Sequence, residues 1–119
     1  TWLIRIEALA MSNDIAGAQA ALSTWRSLRY ENPQSLTMPA TAEDIQHECY
    51  LERKREFFGE GDILWLDMKR FHISETRKVQ DFTATLEGND FRYQFEIPSD
   101  EIKYNPEILS NPGWSGLVY

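Results

Sequence analysis

The stretch WLIRIEALAM at residues 2–11 decides the fold. It holds strong helix formers with only Arg5 and Glu7 polar, a composition that suits a helix covered over most of its circumference. Ser12-Asn13-Asp14 follows as a turn that ends on a capping residue. To about Leu28 the next stretch sets Ile15, Ala18, Leu22, Trp25 and Leu28 at steps of three and four, with Gln19, Arg26 and Arg29 elsewhere on the helical wheel. Two helices joined by so short a connection are expected to be antiparallel neighbours. Small Ala8, Ala10, Ala18 and Ala21 would let them approach closely.

Outward from this helical hairpin, Glu31 to Ala40 breaks the pattern with two prolines and forms a loop. Thr41-Ala42-Glu43-Asp44 reads as an N-terminal cap whose acidic residues face the positive end of a helix dipole, and it predicts a long helix to about Phe58. Gly59-Glu60-Gly61 interrupts it, and Asp62 can cap a shorter helix, ILWLDMKRFH, ending near His72. The period then changes. Val79 to Leu86 and Phe91 to Ile97 are β-prone runs on either side of Glu87-Gly88-Asn89-Asp90, which predicts a β-hairpin. In its second strand, Phe91, Tyr93, Phe95 and Ile97 would form one apolar face. From Pro98 on, Asn-Pro at 105–106 and 111–112 predicts an ordered coil tail packed on the body. The expected fold class is therefore mainly α, with a helix pair, further helices, one β-hairpin and that tail.

The 119 residues suffice for one packed core but are short for two domains. A net charge of −7 repels a phosphate backbone and anionic lipid alike, which argues against nucleic acid as a partner. No run approaches the roughly 18 apolar residues of a membrane span. A single cysteine, Cys49, excludes an internal disulfide and a thiolate zinc cluster. The chain opens on Thr1 and enters an apolar helix at once, with no initiator Met or basic leader, and so reads as part of something longer.

Glu52 and Glu56 fall where the stripe of Ile45 and Cys49 would continue, so charge occupies expected core positions of the long helix. With Glu60 and Asp67 they could supply a carboxylate pair for acid and base work. The adjacent cations Arg53, Arg55 and Arg70 favour instead a network of ion pairs tying the long helix to the short one, because they hold the acids ionised. Glu48 is expected to be solvated or paired in the same way. His47 and Cys49, two apart on a helix, point in different directions and suit no metal site. Cys49 has no histidine base, since His72 lies in another element, and reads as a small buried hydrophobe. Trp2, Trp25, Trp65 and Trp114 would stack on sugars if exposed, but Trp25 and Trp65 follow core positions. The expectation is no catalytic residue, no metal and no cofactor.

Six blocks in order carry a resemblance: RIEALA (Arg5–Ala10), the run from Ala18 to Arg29 with LSTWRSLR, ERKREFFGEG (Glu52–Gly61), LDMKR (Leu66–Arg70), IPSDEI (Ile97–Ile102) and NPEILSNPGW (Asn105–Trp114). The chain is similar to the carboxy-terminal part of SusD/RagB-like proteins. That resemblance implies a non-catalytic, surface-exposed outer-membrane lipoprotein of Bacteroidetes-type bacteria. Such a protein captures oligosaccharide or another nutrient and passes it to a TonB-dependent, SusC-like transporter. It also implies tetratricopeptide-like helix pairs, of which 2–28 would be one, and a lipid anchor outside this segment. Family ligand contacts lie in variable loops elsewhere, so no binding residue carries over. The alternative reading is a helical-repeat module that binds protein.

Overall fold

The computed structural model describes residues 1–114 as five helices and a two-stranded hairpin. They fall into two compact units, Thr1–Leu64 and Trp65 onward.

The first unit is built on α1 (Trp2–Met11), α2 (Ile15–Arg29) and α3 (Ala42–Glu56). The turn between α1 and α2 satisfies both helix ends with three residues. Asn13 adopts a left-handed φ of 64°, so its N–H donates to Ala10 O and the Asp14 N–H to Leu9 O, closing α1 in the manner of a Schellman motif. The Asp14 carboxylate then accepts from Gly17 N at 2.9 Å and opens α2. At the start of α3, Thr41 Oγ1 accepts from Asp44 N, with Glu43 and Asp44 in the first turn, as the sequence predicts. Between Tyr30 and Thr41 the loop contains one 3-10 turn, Pro33–Ser35.

Both α2 and α3 pack on α1. Ile6, Leu22, Ile45 and Cys49 are fully buried, joined by Leu3, Ala10, Ala18, Ala21 and Trp25 in one cluster. The expected stripe therefore holds from Ile15 to Trp25 but stops there: Leu28 is 68% exposed. It lies in the last turn of α2, beyond the reach of the cluster. Ala10, Ala18 and Ala21 line the close approach, whereas Ala8 faces outward.

α4 (Ile63–Phe71) begins in the last two residues of the first unit and, in the second, leads into β1 (Glu75–Val79) and β2 (Phe82–Leu86). The hairpin exists, but its strands differ from those expected. β1 pairs antiparallel with β2 in a register that puts Glu75 opposite Leu86 and Val79 opposite Phe82. The turn is Gln80-Asp81, and Gln80 takes φ 55° there, a two-residue connection of the kind that matches strand twist. Phe91 to Ile97 forms no strand; Phe91–Tyr93 is a 3-10 turn capped by Asp90, and of the supposed apolar face only Tyr93 is buried. Glu87-Gly88-Asn89-Asp90 still turns the chain, for another reason. A Cβ on Gly88 would run into the carbonyl of His72, and the Gly88 N–H donates to Ser74 Oγ at 3.0 Å.

After Pro98 the chain is not all coil, since Ser99–Tyr104 forms a short helix, α5. Beyond it Asn111 Nδ2 donates to Phe95 O and Trp114 Nε1 to Gln94 O, which returns the tail to the 91–97 segment as an ordered piece. The Phe91 ring meets Trp114 edge-on at 5.1 Å, and Gly113, at φ 89°, leaves that ring room which a Cβ would take. The last five residues of the predicted tail lie outside the described residues.

Candidate functional site

The charged block on α3 is a structural lattice. Glu52, buried although it carries a carboxylate, accepts from Tyr30 Oη at 2.5 Å, from Arg55 Nη1 at 3.0 Å and, in a longer contact of 3.4 Å, from Trp25 Nε1. Charge at a core position of α3 is thereby explained: three donors replace the water that the carboxylate loses. At the next position Arg53 Nη2 lies 2.9 Å from Glu7 Oε2, both residues buried, so the polar Glu7 of α1 also has an inward role. Arg26 bridges Glu48 at 2.9 Å and donates to Thr37 O at 3.0 Å, and Arg29 pairs with Glu56 while lying over the Trp25 ring. These pairs tie α3 to α1 and α2. In the second unit Asp67, also buried, accepts from Arg70 at 2.8 Å.

Burial, with the hydrogen bond to Glu52 next, pushes the Tyr30 hydroxyl pKa up and keeps it a donor to that carboxylate. Burial likewise raises the Cys49 thiol from 9.0 to about 12, against which the nearby Arg53 works only in part. A thiol so shielded is a core residue rather than a nucleophile. His47 is exposed beside Tyr50, with ring centroids 6.1 Å apart, and Cys49 is sealed inside, so the two are not brought together. Among the described residues no group of three His, Cys, Asp or Glu could hold a metal ion. No described helix is long and apolar enough to cross a membrane.

The tryptophans divide as the helix pattern suggests only in part. Trp25 is buried in the first unit, while Trp2 is 38% exposed. These two, with Arg29, Glu56, Phe57 and Ile63, border a groove of about 440 Å³ along α1. Trp65 departs from the expected core role: it is half-buried, packs on Tyr93 at 4.8 Å and stacks on Phe95 with ring planes 16° apart.

Trp65 also lines a cavity of about 240 Å³ against one face of the hairpin, with Met68, Ala84 and Leu86 as apolar wall and Glu75, Arg77 and Arg92 as polar groups. Register explains the hairpin's share: Glu75 and Leu86 are paired, as are Arg77 and Ala84, so all four side chains stand on one side of the sheet. Arg92 is fixed there. Its guanidinium grips Asp90 through Nε and Nη2 at 2.8 and 2.6 Å, and Nη2 donates to Thr85 O at 2.9 Å, which covers part of the open edge of β2. The same grip holds the half-buried Asp90 carboxyl down at about 2. Arg77 is looser, its Nε lying 3.9 Å from Glu75 Oε1, beyond hydrogen-bond length. This cavity combines an aromatic wall with separate donor and acceptor groups. The sequence hid it, because Trp65 looks like a helical core residue and Arg77 lies in a run with no apolar alternation.

Comparison with family models, with curated proteins and with solved structures finds no match to this chain.

Proposed function

We propose that the chain is the carboxy-terminal part of a SusD/RagB-like nutrient-binding protein. In this reading the intact protein is a lipid-anchored outer-membrane protein that captures oligosaccharide at the cell surface and hands it unaltered to a SusC-like, TonB-dependent transporter. Its support lies first in the six ordered sequence blocks from Arg5 to Trp114. The observation that carries the non-catalytic side is Glu52: the central acid of the most charged block is committed to Tyr30, Arg55 and Trp25. A glycosidase needs two carboxyl groups facing one bond, one of them protonated, and cations at hydrogen-bond distance oppose that protonation.

Incubating the intact protein with a panel of oligosaccharides, and following both binding and the products by chromatography, tests the reading. Saturable binding without turnover is expected. Turnover that Glu52→Gln, Glu60→Gln or Asp67→Asn abolishes in a folded variant would make the protein a hydrolase.

One observation favours a second reading, a helical-repeat module that binds protein. Ile4, Ala8 and Met11 stand at steps of four and three on α1, and all three are exposed. Absence of binding across the glycan panel would leave that reading in place.

A further inference from the structure

We infer that the cavity between Trp65 and the hairpin binds one uronate residue of a glycan, with the sugar carboxylate on the Arg77 guanidinium. The inference deepens the glycan-capture reading above, on which it rests.

Ion pairing sets Arg77 apart. Of the three arginines in the second unit, Arg70 holds the Asp67 carboxylate at 2.8 Å and Arg92 that of Asp90 at 2.6 Å. Arg77 has only the Glu75 carboxylate 3.9 Å from its Nε, beyond hydrogen-bond length, and Glu75 is itself already engaged. One acid and two arginines line the cavity, and Asp90, which answers Arg92, lies outside the lining. What the cavity has to spare is therefore donors. They are the guanidinium of Arg77 and Nη1 of Arg92, since Asp90 and Thr85 O occupy Nε and Nη2 of that residue. A ligand met by donors must bring acceptors. A carboxylate accepts through two oxygens, cannot donate, and matches the planar fork of an arginine as no hydroxyl does.

The hairpin brings both donors to one place. Arg77 is paired with Ala84, and Arg92 reaches the carbonyl of the next residue, Thr85, so both guanidiniums stand at one level of the sheet beside a side chain of a single methyl. Trp65, Met68, Ala84 and Leu86 form the apolar wall, and ring contacts with Tyr93 and Phe95 hold Trp65 in position. A pyranose lays its C–H face on such a wall. A hexuronate ring combines that face with a carboxylate for Arg77 and hydroxyls able to accept from Arg92 Nη1. About 240 Å³ lies below the roughly 300–1,000 Å³ of pockets that enclose drug-sized ligands, so one ring enters. The chain carries a net charge of −7 and repels a run of uronates at long range, which favours a glycan with isolated carboxylates.

Titration of the intact protein by calorimetry tests the inference with two probes, xylotetraose bearing one glucuronate branch and methyl galacturonide. Each is paired with its own carboxylate methyl ester, and phenylpropionate serves as a carboxylate that is not a sugar. At least one uronate should bind about tenfold or more tightly than its ester, and Arg77→Ala should remove that advantage, the loss expected for hydrogen bonds between charged groups. Lys78→Ala, which deletes the same charge on the opposite face of β1, should change nothing. Circular dichroism checks folding; should Arg77→Ala not fold, the comparison of acid with ester decides alone. A uronate that binds no better than its ester, or equally well to folded Arg77→Ala, would overturn the site and leave the capture reading intact. Phenylpropionate binding as tightly as either uronate would overturn the choice of a sugar. Failure of both uronates would overturn the inference alone if neutral oligosaccharides bind, and the capture reading with it if none does.

Discussion

The two units of this chain are held together by different means. Thr1–Leu64 has a conventional core: ten of the twelve buried apolar residues among those described lie in it, and its helices are further tied by buried ion pairs. Among the described residues from Trp65 onward only Met68 and Tyr93 are buried apolar residues, while Val79, Phe82, Phe95, Tyr104 and Leu109 are largely exposed. There the fold rests on a two-stranded ladder, aromatic contacts around Trp65 and Trp114, and side-chain bonds such as Tyr93 Oη to Ile73 O. An isolated two-stranded hairpin is marginal in water and needs packing against a further element. The difference teaches that helical period and buried charge make the first unit, whereas the second depends on specific long-range contacts.

The comparison is broken most severely by removing one member of a buried ion pair. Glu7→Ala withdraws the carboxylate 2.9 Å from the buried Arg53 and should cost about 3–5 kcal/mol, measured as a lower urea midpoint followed by far-ultraviolet circular dichroism. Leu22→Ala, at a fully buried position, should cost about 2–5 kcal/mol in the same experiment. An equally large loss from Phe82→Ala, on the exposed hairpin, would contradict the division between the units.

Cys49 sharpens it chemically. With its pKa at about 12 in the folded protein, the thiol should resist a disulfide reagent at pH 8 and react once urea unfolds the first unit. Between about 9 and 12 the unfolded chain loses this proton before the folded one does. It then binds fewer protons, so this group makes stability fall as pH rises through that window. Hydrogen exchange separates the units without mutation: amides of β1 and β2 should exchange through openings much less costly than those exposing the Ile6, Leu22 and Ile45 region. The smallest effect is a gain. Gln80→Gly relieves a left-handed residue in the hairpin turn and should stabilise the second unit by about 1 kcal/mol, read from slower exchange across the ladder.

The same contrast governs what could be read in the sequence. Periodicity displayed α1 to α4 because each must bury a stripe, and charge at 52 marked the lattice because a carboxylate at a core position requires a cation; Glu56 is instead exposed, and the pairs reach from α3 to α1 and α2 where the sequence suggested the shorter helix α4. Glu75–Val79 escaped notice for the opposite reason. As ETRKV it has no apolar alternation, and its turn at Gln80-Asp81 contains no glycine. The conspicuous Gly88 drew the turn to the wrong place, since its missing Cβ serves close approach to His72 and not a hairpin. Leu28 and Ala8 show the limit of a helical wheel, which gives a direction and says nothing of where the neighbouring helix ends. The cavity beside Trp65 was illegible because it exists only once Arg77 and Ala84 are paired across the correct register.

The three-residue joint at Ser12-Asn13-Asp14 has no slack. Every residue in it has an assignment: Ser12 Oγ donates to Leu9 O, Asn13 occupies the left-handed position, and Asp14 opens the next helix. Adding one amino acid within α2, between Gly17 and Ala18, would turn everything after it by about 100° around the helix axis. Ala18, Leu22 and Trp25 would then swing out of the cluster together and Arg26 would lose its place beside Glu48. Length variation is therefore barred from residues 12–29, and insertions belong in the exposed Gly59-Glu60-Gly61 segment, where a Cβ on either glycine would meet nothing within 4 Å.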